Sequence, residues 1–75
     1  MRLSEFNRAV ADEFGAAYGR QLVRDLVIVE LGGRTCEQAL AAGVPARDVW
    51  LALCEATDVP AERRHGAGLP DPKKH

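Results

Sequence analysis

The sequence has little of what chemistry usually needs. Its two histidines are His65 and His75, so residues 1–64 hold no imidazole to serve as a general base. Its two cysteines, Cys36 and Cys54, stand eighteen positions apart. Zinc-ligand pairs lie about two to five residues apart, and neither histidine repairs that spacing. G-x-S-x-G and H-E-x-x-H are both missing. The adjacent carboxylates Asp12 and Glu13 would point about 100° apart on a helix, which makes them a solvated face rather than a catalytic pair. Gly32-Gly33-Arg34 has no preceding strand in the helical reading and serves as a helix stop rather than an anion cradle. These absences predict a protein that is not an enzyme and that uses no metal or cofactor. No apolar run approaches the roughly 20 residues of a membrane span, and Met1-Arg2-Leu3-Ser4-Glu5 has no apolar stretch of the kind that leads secretion. The expectation is a cytoplasmic protein without membrane contact, whose thiols stay free and act as small buried hydrophobes.

What is present is a chain of 75 residues, 47% hydrophobic and 28% charged, a composition that folds as one domain and leaves no room for a second core. Leu3-Ser4-Glu5-Phe6 reads as a helix start capped by Ser4, and Phe6, Val10 and Phe14 then recur at i, i+4 and i+8 as one apolar stripe. Gly15 permits a turn. A second helix is expected from Ala16 to Leu31, because Tyr18, Leu22, Val23, Leu26, Val27, Val29 and Leu31 cover about half of a helical circumference. Such a helix would be the centre of the fold, ended by Gly32-Gly33 with one glycine left-handed. The β-branched run Val27-Ile28-Val29 has strand propensity too, but the charges Arg20, Arg24, Asp25 and Glu30 fall at helical offsets.

Thr35-Cys36-Glu37-Gln38 has capping-box spacing and opens a short third helix that ends at Gly43. Pro45 suits the first position of a fourth helix, which runs to about Thr57 with Val49, Leu53 and Ala56 on its buried line. Pro60-Ala61-Glu62-Arg63-Arg64 adds a last turn. The expected core is Phe6, Val10, Phe14, Tyr18, Leu22, Leu26, Leu40, Val49, Trp50 and Leu53, with the Trp50 indole N–H in need of a partner at the core edge. The fold predicted is therefore all-α. It is a compact bundle of three to four main helices over residues 1–64, with a helix-turn-helix-like C-terminal pair and a flexible basic tail over residues 65–75.

Charge bears on what that pair does. Residues 32–62 carry Arg34 and Arg47 against Glu37, Asp48, Glu55, Asp58 and Glu62, net −3, while residues 63–75 carry Arg63, Arg64, Lys73 and Lys74 against Asp71, net +3. Duplex binding draws most of its affinity from basic side chains on phosphates, so an acidic reading half disfavours nucleic acid. On the fourth helix Leu51 falls between Arg47, Asp48 and Glu55. Ile28 falls between Gln21, Arg24 and Asp25 on the expected second helix. Ile28, Arg47 and Leu51 are the candidate interaction surface, for self-association or a protein partner.

The strings Met1-Arg2-Leu3-x-x-Phe6, Phe14-Gly15-x-x-Tyr18, Arg24-Asp25, Leu31-Gly32-Gly33-Arg34-Thr35, Ala39-Leu40-x-x-Gly43 and Val49-Trp50-x-x-x-Cys54 resemble a family of short actinobacterial proteins, domain of unknown function 3046. The resemblance runs from Met1 to about Arg64, with Asn7 a departure where an aromatic commonly follows Phe6. It implies a small cytoplasmic bacterial protein and no activity, cofactor or catalytic residue to carry over; neighbouring recombination genes hint at DNA metabolism. Two functions follow as expectations. The first is a non-enzymatic protein-interaction module, and the alternative is a helix-turn-helix-type nucleic-acid-binding or DNA-metabolism accessory protein.

Overall fold

The computed structural model of the chain describes residues 1–64. The tail expected over residues 65–75, with His65 and His75, lies outside the described residues. Helix α1 spans Leu3–Phe14, with Phe6 and Val10 buried and Phe14 half-buried, as the i, i+4, i+8 spacing requires. It begins earlier than a Ser4 cap would allow. Arg2 takes the cap position and its backbone N–H donates to Glu5 Oε1 at 2.6 Å, so Leu3 and Ser4 lie inside the first turn. Gly15 interrupts the helix at φ 88°, and α2 follows over Ala16–Asp25.

Helix α2 stops six residues short of the expected Leu31. Leu26 is already extended, and Val27–Ile28 forms strand β1, paired antiparallel with β2 at Arg34–Thr35 so that Val27 faces Thr35 and Ile28 faces Arg34. A 3₁₀ turn at Val29–Leu31 and two left-handed glycines close the loop, with Gly32 N–H donating to Val29 O and Gly33 N–H to Ile28 O. The physical reason lies in the residues. Three consecutive β-branched side chains lose rotamer freedom in a helix, and a Gly-Gly pair four residues on supplies the reversal that lets them pair instead.

The centre of the fold consequently moves from the second helix to the last. Helix α2 fully buries only Gly19, whereas α4, Ala46–Ala56, buries Val49, Trp50, Leu53 and Cys54. Around α4 pack Phe6 and Val10 from α1, Ile28 and Leu31 from the hairpin, and Cys36 and Ala39 from helix α3, Cys36–Ala41. Tyr18, expected in the core, is 58% exposed and rests edge-on against the Phe14 ring at 6.4 Å. Leu22, Leu26 and Leu40 are half-buried.

The cap of α3 matches its sequence signature in both directions. Gln38 N–H donates to Thr35 Oγ1 at 3.1 Å, and Thr35 N–H donates to Gln38 Oε1 at 3.0 Å. Pro45 is the residue before α4 rather than its first. The two C-termini share one bonding scheme. At the end of α3, Val44 N–H reaches Ala39 O and Gly43 N–H reaches Leu40 O; at the end of α4, Val59 N–H reaches Cys54 O and Asp58 N–H reaches Glu55 O. Both are Schellman ends, with Gly43 and Asp58 as their left-handed residues and Val44 and Val59 turned toward the core.

Beyond Val59 the chain folds back. A 3₁₀ turn at Ala61–Arg63 leads to Arg64, whose carbonyl accepts the Trp50 indole N–H at 3.3 Å and whose guanidinium reaches Val59 O at 2.7 Å and Glu55 at 3.1 Å. Arg63 pairs with Glu13 at 2.9 Å, fifty residues away. Trp50 is 1% exposed, with the Phe6 ring edge-on at 6.5 Å.

Two stability predictions result. A Cβ placed on Gly19 would stand 2.6 Å from Val10 Cγ1 and 3.1 Å from Val10 O. Gly19→Ala should therefore lower stability by about 1–2 kcal/mol in urea melts despite the better helix propensity of alanine, and Val10→Ala in the same chain should recover part of that loss. A chain ending at Glu62 should be less stable than one ending at Arg64 by about 1–3 kcal/mol, since a buried indole N–H loses its acceptor.

Candidate functional site

The three residues singled out from the sequence do not form one surface. Ile28 is 1% exposed, because β1 turns it inward against α4 while its neighbours point out. The helical offset that put Ile28 among Gln21, Arg24 and Asp25 does not exist once α2 ends at Asp25. Leu51 is half-buried and packs against the core, so only part of it meets solvent. Arg47 is exposed in the first turn of α4, beside Asp48.

The same hairpin that hides Ile28 exposes the residues on either side of it. Val29 is 84% exposed and Val27 59%. Helical placement had put both on a buried half-circumference; in the hairpin Val27 alternates with the buried Ile28 along β1, and Val29 opens the 3₁₀ turn with its side chain in solvent. Glu30, exposed on the 3₁₀ turn, follows them, the exposed Arg34 lies on β2 opposite Ile28, and the exposed Arg24–Asp25 pair at 3.4 Å precedes them. The outcome is an exposed apolar pair with charges of both signs nearby in the chain. The signal for it was in the sequence, as three β-branched residues followed by Gly32-Gly33.

Reactive chemistry is sparse around this face and within the core. Cys36 and Cys54 are free and fully buried. Burial pushes the Cys36 thiol up to about 11, with its own backbone N–H opposing the shift weakly. Burial also pushes Cys54 up to about 11; the Arg64 charge pulls it down, while Glu13 and the Cys36 thiol add to the rise. Thiols of this kind are poor nucleophiles at neutral pH. Among the described residues no three His, Cys, Asp or Glu side chains stand where they could share a metal ion, and no helix is long and apolar enough to cross a membrane. Two of the acids serve structure, Glu13 holding Arg63 and Glu55 holding Arg64.

Comparison with known proteins adds one match. The family model described as "Protein of unknown function (DUF3046)" fits residues 1–62. No curated protein and no solved structure matches the chain.

The thiols give a pH prediction whose sign is fixed by their shifts. In the unfolded chain they ionise near their ordinary value of 9.0, whereas in the folded chain they hold their protons to about 11. Their contribution to stability is full below pH 9 and falls as pH rises from there toward about 11. Urea melts across that window should show a shallower decline for Cys36→Ala/Cys54→Ala than for the wild type, and a thiol reagent at pH 8 should label the wild type only as it unfolds.

Proposed function

We propose that this chain, which belongs to the DUF3046 family of proteins of unknown function, is a non-enzymatic protein-interaction module of the cytoplasm. The observation that carries the reading is the outward pair Val27 and Val29, held in water beside a buried Ile28. Single exposed apolar residues are ordinary, but full burial of a valine is worth about 1.5–3 kcal/mol, and Val27 on β1 with Val29 on the adjoining 3₁₀ turn offer that gain to a partner together. The hairpin fixes both backbones, so little ordering is needed on binding. A reducing compartment accords with two free thiols sealed in the core.

A second reading, nucleic-acid binding through α3 and α4, is favoured by one feature. The pair is joined by a short turn at residues 42–45, and Arg47 stands exposed at the start of α4. Charge supports it less than the sequence suggested. Arg63 and Arg64, two of the four bases counted with the tail, are engaged by Glu13 and Glu55.

The two readings separate in experiment. Affinity purification from the native organism should return a protein partner that is lost with Val29→Glu while circular dichroism stays unchanged; sedimentation of the wild type tells a second copy from a different chain. Capture unaffected by Val29→Glu and Val27→Glu would remove the hairpin from the interaction. A gel shift at low salt should be absent. A salt-sensitive shift that weakens on Arg47→Ala would transfer the function to α4.

A further inference from the structure

A groove lies between the first two helices, away from the residues of the hairpin. Helices α1 and α2 leave between them an open groove of about 390 Å³ lined by Asn7, Val10, Ala11, Ala16, Arg20 and Val23. Its origin is steric. Gly19 draws the two helices together at Val10, and the short side chains Ala11 and Ala16 leave the space beside that contact unfilled. The volume lies within the roughly 300–1,000 Å³ of small-molecule sites. Four of the six lining residues are apolar, no acid lines the groove, and its single charge is Arg20. Arg20 makes no ion pair among the described residues, unlike Arg24, Arg63 and Arg64.

We propose that this groove binds a small monocarboxylic acid with an apolar body. The planar guanidinium of Arg20 matches a carboxylate with two parallel N–H donors, and the Asn7 carboxamide brings a donor and an acceptor. Val10, Ala11, Ala16 and Val23 cover the apolar body. One cation with apolar walls suits a single negative charge; a dianionic phosphate would leave half its charge uncompensated against aliphatic surface. The site is independent of the hairpin face, so failure of either assignment leaves the other standing.

The test is a two-dimensional NMR titration of the full chain with octanoate, butyrate and octylammonium as probes. Octanoate should shift the amides of Asn7, Ala11, Ala16, Arg20 and Val23 saturably, butyrate should bind more weakly for want of apolar body, and octylammonium should leave them unmoved. Arg20→Gln should weaken octanoate by about tenfold, and Arg20→Lys should retain part of the affinity. Arg20 is exposed, so both variants should fold, as their unperturbed spectra will report. The assignment is overturned by octylammonium binding as well as octanoate, by octanoate affinity that ignores Arg20→Gln, by shifts centred on Val27 and Val29, or by no saturation below about 10 mM.

Discussion

A single buried indole sets the terms for the rest of this fold. Trp50 is the largest side chain inside the domain and it carries a polar N–H that must be satisfied there. Its acceptor lies outside helix α4. The chain brings that partner by turning back after Val59 until the Arg64 carbonyl reaches Nε1. Several contacts of residues 58–64 serve that return. The Schellman end at Asp58 reverses direction, Val59 anchors in the core, Arg64 grips Val59 O and Glu55, and Arg63 grips Glu13 on α1. The two ion pairs are partly exposed and worth little singly, so their part is to position the carbonyl rather than to hold the fold together.

What the sequence made legible was whatever short-range chemistry dictates. The capping box at Thr35 and Gln38, the i, i+4 stripe of α1, the turn at Gly43 and the need of Trp50 for an acceptor all follow from residues within a few positions, and all stand in the structure. The long second helix did not survive because its pattern suited two structures at once. Leu22, Leu26 and Val29 fit a helical stripe, while Val27-Ile28-Val29 also fits a strand followed by a turn. Pairing between β1 and β2 decided between them, and pairing is a non-local event that a helical wheel does not contain. The candidate site inherited that error directly. Ile28 and its neighbours exchange inside for outside when a 3.6-residue period becomes a 2-residue one.

The core residues that went unread share a property. Outside the hairpin these are Ala39 and Val59, which are small, and their burial depends on how closely two elements approach rather than on their own hydrophobicity; Cys36 and Cys54, expected as small buried hydrophobes, are buried. The charge balance shifts in the same way. With Arg63 and Arg64 inside the folded part, residues 1–64 hold eight arginines against ten acids, net −2, and residues 65–75 keep Lys73 and Lys74 against Asp71, net +1. The contrast between an acidic domain and a basic tail is thus milder in the folded chain than along the sequence.

The return of the chain to Trp50 also couples two regions that no helix joins. Trp50 is the sole tryptophan of the protein, and its hydrogen bond and dry surroundings depend on residues 60–64 staying in place. The wavelength and intensity of its fluorescence therefore read the docking of that short segment directly. Any event that lifts the segment from Glu13 and Glu55 becomes visible as a red-shifted emission, without a label and without disturbing the chain.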